Sequence, residues 1–249
     1  MPAATRDESA KPVEVPIPRR GRIWILLVLA LGAIGLGYAV VNIATQKAGH
    51  DVVRIAGISE AQEIFGGVPQ EGDRLGSSDA PVTIQVFNDL QCSSCREDFL
   101  GTIPGLVDGP VRAGDVKLLY RHYSVSESPL EEGFYGTEAA AQQGYGWEYT
   151  YLFFRNQDEA KKFGVHKDLL ASIAGGIEEL NLPEWEQDFE EEDAPGSPIT
   201  RQLEGYEKLG TGLGIRTRQA TIVNGPRGTR TLQDGPSLAQ IEAAIQAVQ

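Results

Sequence analysis

Cys92 and Cys95 are the two cysteines of the sequence, separated by two serines in the run QCSSC. Thiols at this spacing can close a small disulfide ring if the first occupies the start of a helix. Backbone N–H groups left unpaired in a first helical turn, together with the helix dipole, stabilise a thiolate, and the thiolate is the nucleophile of disulfide exchange. In that chemistry Cys92 attacks a substrate disulfide, or is attacked by a substrate thiolate, and Cys95 resolves the mixed disulfide. Two other uses of the pair stay open. One is a structural disulfide, although in the chain-entropy account so short a ring constrains little. The other is half of a metal site, for which His50, His122 and His166 are the imidazoles on offer, and none stands beside the pair.

Elements with distinct sequence signatures flank the pair. Residues 82–88 (VTIQVFN) combine β-branched and aromatic side chains between Pro81 and Asp89, a strand pattern. From 95 to 107 the pattern is helical, with Phe99, Ile103, Leu106 and Val107 near one face and Pro104 marking a kink. Cys92 is thereby predicted at a strand-to-helix junction. Residues 116–123 (VKLLYRHY) read as a second strand, and the intervening helix predicts a crossover with parallel pairing. From 130 to about 208 the chain reads as mostly helical. Within it, Trp147, Tyr149, Tyr151, Phe153 and Phe154 fit a core face better than a peptide-binding patch. The acidic run 184–193 (EWEQDFEEED) fits a solvated helix end, without the glycine turn and alternating ligands of a calcium loop. A strand at 220–223, a turn at Asn224 and Gly225, a partner strand near 229–232 and an amphipathic helix over 238–248 complete the chain. The expected architecture is a small α/β sheet interrupted by a helical subdomain.

The whole chain has 249 residues, 41% of them hydrophobic, a composition able to fold a core. With 35 Asp and Glu against 22 Lys and Arg, the formal charge of −13 offers no basic field for phosphates, which argues against nucleic-acid binding. Residues 1–22 read as a disordered tail. Residues 23–44 (IWILLVLALGAIGLGYAVVNIA) carry no charge and have the length of a transmembrane helix, longer than the apolar core of a cleaved signal peptide. Arg19, Arg20 and Arg22 precede this span, so the positive-inside rule predicts a cytoplasmic tail and an extracytoplasmic main domain. Residues 45–74, with a short helical stretch near 59–65 and then several glycines, read as a stalk, leaving 75–249 as the folded domain.

The sequence resembles the DsbA-like thiol-disulfide oxidoreductases of thioredoxin fold, in their membrane-anchored bacterial form. The resemblance rests on LGSSDAPVTIQVFNDLQCSSCREDF at 75–99, VKLLYRHYSV at 116–125, TEAAAQQGYGWEYTYLFF at 137–154 and LGIRTRQATIVNG at 213–225. It implies a thioredoxin-like sheet with an inserted helical subdomain, catalytic Cys92 and Cys95, and disulfide exchange with secreted or cell-envelope proteins. It calls for no cofactor and no metal. Because the membrane segment has no second cysteine pair, a separate membrane protein would have to reset the enzyme. Two departures from the family pattern stand out. Where the family has a cis-proline facing the cysteines, this chain has Gln219, and a cis bond before a non-proline costs about 2.5–4 kcal/mol, so the bond is expected trans. Arg218 and Gln219 are then the expected lining of the substrate groove. Ser93 and Ser94 replace the family's histidine or proline between the cysteines, which predicts a less oxidising pair. A redox-silent thioredoxin-fold binding module of the cell envelope is the alternative that Gln219 favours.

Overall fold

The structure is a computed structural model that describes residues 53–124, 131–192 and 196–249. The apolar segment 23–44 lies outside the described residues, and among the described helices none is long and apolar enough to cross a membrane.

The sheet has six strands in the order β1-β2-β4-β3-β5-β6: β1 (Gln70–Glu71), β2 (Arg74–Leu75), β3 (Val82–Asn88), β4 (Val116–His122), β5 (Gln219–Gly225) and β6 (Gly228–Gln233). β3 pairs parallel with β4 and antiparallel with β5. Its Val82, Ile84 and Val86 alternate onto one face, while Phe87 and Asn88 are buried as well, as a central strand covered on both sides requires. The register sets Asn88 beside His122 on one neighbour and beside Gln219 on the other. The chain beyond Asn88 therefore leaves the sheet between the ends of two flanking strands.

That exit carries the cysteine loop and α2 (Ser93–Leu106), which runs through Pro104 into a π-helical turn over Val107–Val111, with non-helical dihedrals at Gly109. α1 (Ile58–Phe65) precedes the sheet, burying Ala61 and Phe65. Six helices among the described residues stand between β4 and β5: α3 (Glu131–Gln142), α4 (Gly146–Arg155), α5 (Gln157–Phe163), α6 (Lys167–Gly175), α7 (Leu182–Glu192) and α8 (Pro198–Gly212). α9 (Leu238–Val248) closes the fold, its N-terminus held by a capping box between Ser237 and Gln240.

The aromatic run of α4 is core. Trp147 stacks on Phe99 of α2 with ring centroids 6.1 Å apart, and Phe154 meets the same ring at 5.0 Å. Tyr149 stacks on Trp185 of α7. Insertion and sheet thus share one apolar interior, with a smaller cluster of Phe87, Tyr123, Ile215, Ala220 and Ile222. The hairpin turn differs from the sequence expectation. Asn224 and Gly225 continue β5, paired with Thr229 and Gly228, and the turn falls on Pro226 and Arg227. Gly225 is needed for close approach rather than for turning, since a Cβ there would stand 2.6 Å from the Val248 carbonyl oxygen.

Candidate active site

Asp89, the first residue beyond β3, sets the path of the loop. Its buried carboxylate accepts hydrogen bonds from Gln91 N at 2.9 Å and Ser124 Oγ at 3.1 Å, and its carbonyl accepts from Cys92 N at 3.1 Å. This local turn, of the kind aspartate forms with its own succeeding backbone, delivers Cys92 to the cap position of α2. Cys92 has extended dihedrals (φ −81°, ψ 125°), and its Sγ accepts from Cys95 N at 3.1 Å, the place that a serine or aspartate oxygen fills in an ordinary helix cap. Ser94 Oγ lies 3.2 Å from the same sulfur.

Cys92 and Cys95 are joined in a disulfide. Both are buried, Cys95 completely and Cys92 with 5% of its surface exposed. Cys95 Sγ stands 3.5 Å from the carbonyl oxygen of Arg218, close enough for the reduced thiol to donate to it. The loop before β5 therefore does approach the pair, through the Arg218 backbone. The bond between Arg218 and Gln219 is trans, in keeping with the expectation for a non-proline. The Gln219 side chain goes elsewhere: it donates to the Asp98 carboxyl on the next turn of α2, and its Oε1 is buried without a hydrogen-bond partner. Burial raises the Asp98 pKa, the Gln219 bond opposes that rise, and the neighbouring Glu97 adds to it.

α5 grips the loop from the other side. Gln157, itself buried, donates through Nε2 to the carbonyls of Leu90 at 2.6 Å and Cys92 at 3.2 Å. Lys161 Nζ donates to Ser93 Oγ at 2.6 Å. Arg96 donates to Asp158 at 2.8 Å, and that bond holds the Asp158 carboxyl below its ordinary range. Arg96 is consequently turned toward α5.

The histidines take other places. His122 is buried at the end of β4, with its Nε2 3.2 Å from Glu138 Oε1 but off the line of a hydrogen bond, and with the rings of Tyr120, Phe134 and Tyr206 around it. His166 caps α6, its Nδ1 accepting from Leu169 N, and His50 lies outside the described residues. Among the described residues no group of three or more His, Cys, Asp or Glu side chains is placed to hold a metal ion. Gln157, Asp158 and Lys161 went unseen in the sequence because they lie some 65 residues from the cysteines on an unremarkable polar helix. Asp89 had a signal, an aspartate three residues before the first cysteine at a strand end.

A family model described as Thioredoxin matches residues 70–194, half of the chain. The chain belongs to this thioredoxin family. Among curated proteins, the thioredoxin-family chain is 23% identical over 138 residues to the probable disulfide bond formation protein D of Bacillus cereus, covering 54% of this chain and 63% of that protein. It is also 23% identical over 214 residues to Na(+)/H(+) antiporter NhaA 1 of Mycolicibacterium gilvum, covering 84% of this chain and 31% of that protein. The chain thus spans less than two thirds of the length of both curated relatives. Among solved structures, oxidised BdbD of Bacillus subtilis superposes with a TM-score of 0.59 at 19% identity, over 72% of this chain and 95% of that one. DsbA of Chlamydia trachomatis gives 0.56 at 19% identity, over 70% and 89%. These likenesses agree with the DsbA-like fold read from the sequence.

Proposed function

We propose that the chain is an extracytoplasmic, membrane-anchored thiol-disulfide oxidoreductase that exchanges disulfides with secreted or cell-envelope proteins through Cys92 and Cys95. The observation that carries the proposal is the unequal setting of the two sulfurs. Cys92 occupies the helix cap and receives a backbone N–H, whereas Cys95 is sealed one turn inside. In the oxidising direction a substrate thiolate attacks Cys92 Sγ, the Cys92–Cys95 bond breaks, and Cys95 leaves as a thiolate that takes up a proton. A second substrate thiol, losing its proton, attacks the substrate sulfur of the mixed disulfide and releases Cys92. The substrate dithiol has lost two electrons and the pair has gained them; the reducing direction reverses each step. A separate membrane redox protein resets the pair, and the backbone at the entry to β5, at Arg218 and Gln219, lines the substrate groove.

Engagement of Gln219 by Asp98, in place of the family's proline, favours the second reading, a redox-silent binding module. Full-length protein in neutral nanodiscs, equilibrated across a glutathione redox series and trapped with an alkylating reagent, separates the two. The enzyme reading expects a reversible two-electron transition of the pair, with insulin reduction or reduced-ribonuclease oxidation abolished by Cys92→Ala. A pair that exchanges with neither substrate in either direction would overturn it in favour of the binding module.

A further inference from the structure

A cavity of about 240 Å³ lies between α1, α4 and the turn after α6, and the cysteine chemistry makes no use of it. Ile58, Ala61, Leu152 and Ile177 give it an apolar wall, while Glu148, Glu178 and Glu179 line the rest together with Gln62. Its volume falls below the roughly 300–1,000 Å³ of sites for drug-sized ligands. Glu148 is the informative residue. It stands in the core-forming run GWEYTYLFF, is only 9% exposed, and its carboxylate has neither a hydrogen-bond nor an ion-pair partner among the described residues. Neither Lys nor Arg lines the cavity. A buried carboxylate without a partner is expensive to keep ionised, and a cation brought to it recovers the lost interaction.

We infer that this cavity binds a primary ammonium group carried on an unbranched aliphatic stem, the chemistry shared by a lysine side chain and a free aliphatic amine. The ammonium would sit against Glu148, with Glu178 and Glu179 adding to the negative potential at the mouth, and the methylene stem would lie along Ile58, Ala61, Leu152 and Ile177. A metal ion fits less well. The described residues hold no metal-binding cluster, and the apolar wall would have nothing to contact. Burial, and after it the charge of Glu179, pushes the Glu148 pKa up to about 7. Other groups facing it are the amide of Gln62 from α1, the carboxylates of Glu178 and Glu179 from the turn after α6, and the Tyr145 phenol just before α4, whose own pKa is raised by burial and then by Glu179 and Glu148. A cation favours the ionised form of Glu148, so binding should tighten as pH rises through 7.

The test is calorimetric titration of full-length protein in neutral nanodiscs with Nα-acetyl-lysine methylamide and with 1,5-diaminopentane; 1,5-pentanediol serves as the neutral isostere and calcium chloride as the rival cation. Expected are saturable binding of at least one ammonium probe, no binding of the diol, and at least tenfold weaker binding in Glu148→Gln. Binding of the lysine derivative would assign the ligand to a polypeptide; binding of the diamine alone would assign it to a free amine; either result upholds the site. A single cooperative thermal transition and wild-type disulfide exchange in Glu148→Gln show that the variant is folded. The inference is overturned if neither ammonium probe binds, if the diol binds as well as the diamine, if calcium alone binds, or if Glu148→Gln leaves affinity unchanged.

Discussion

Glu148→Gln should also change how stability depends on pH, by an amount the structure lets one work out. The carboxyl moves from an ordinary value of 4.5 to about 7 on folding, first through burial and then through Glu179. A folded value above the unfolded one means that the group favours folding fully below pH 4.5. That contribution is lost as pH rises through 7. About two and a half pH units, at 1.36 kcal/mol each, give a ceiling of about 3 kcal/mol. Water reaching the carboxylate through the cavity mouth lowers this to roughly 2 kcal/mol. Glutamine keeps the shape and abolishes the titration. Its own amide offsets stability by a constant, so the pH trend is the quantity to read. For the compact unit 50–249, urea unfolding of wild type and variant should show the variant gaining roughly 2 kcal/mol on the wild type between pH 4 and pH 9, with most of the change falling between pH 4.5 and 7. Parallel curves over that range would refute the reasoning, because they would mean that Glu148 ionises as freely folded as unfolded.

Cys95→Ala should accumulate mixed disulfides between Cys92 and substrate proteins, visible on non-reducing gels, while Cys92→Ala should not; the reverse pattern would exchange the two roles. Gln219→Pro removes the hydrogen bond that restrains Asp98 and should alter turnover or substrate preference in insulin and peptide exchange assays, with the thermal transition retained; an active enzyme indifferent to the change would exclude this loop from docking. Gln157→Leu strips the donors from the carbonyls of Leu90 and Cys92 and should lower stability by roughly 1–3 kcal/mol, read as a shift in the urea midpoint; no shift would mean that the loop is held without α5. Protease added to intact spheroplasts should digest the main domain and spare a tag on residues 1–22, and the opposite pattern would invert the topology.

The fold was legible where a segment's own pattern decides its state. VTIQVFN read as a strand and LAQIEAAIQAV as an amphipathic helix, and the structure adds burial of the first and the Ser237 cap of the second. Cys92 as the cap of α2 came from the change of period between residues 88 and 95. The hairpin turn was misplaced because Asn-Gly is a strong local signal, yet Gly225 answers to the α9 C-terminus packed against it and Pro226 can supply the bend. Tertiary choices left no local trace. Nothing near Gln157 or Lys161 announces a carbonyl of Leu90 or a hydroxyl of Ser93, and the rotamer that turns Gln219 toward Asp98 depends on two elements meeting. Glu148 left one trace, as a carboxylate set between the aromatic residues Trp147 and Tyr149.

The two sulfurs differ in what their surroundings would do to a negative charge, and that difference orders the chemistry whichever way electrons flow. On the Cys92 side, the Cys95 N–H points at the sulfur at 3.1 Å, Ser94 Oγ is at 3.2 Å, and the Lys161 ammonium is held one residue away on Ser93. Each of these favours a thiolate. On the Cys95 side, burial is complete, the Arg218 carbonyl oxygen, an acceptor, lies 3.5 Å away, and Asp98 stands one turn further along the helix. Each of these favours a thiol. Arg96, the cation that sequence position would assign to offsetting Glu97 and Asp98, is instead paired with Asp158. Opening of the disulfide should therefore leave the charge on Cys92 and the proton on Cys95, poised to donate to Arg218. A thiolate stabilised in this way makes the reduced pair more stable and Cys92 the better leaving group, and it works against the weaker oxidising power expected from Ser93 and Ser94 alone.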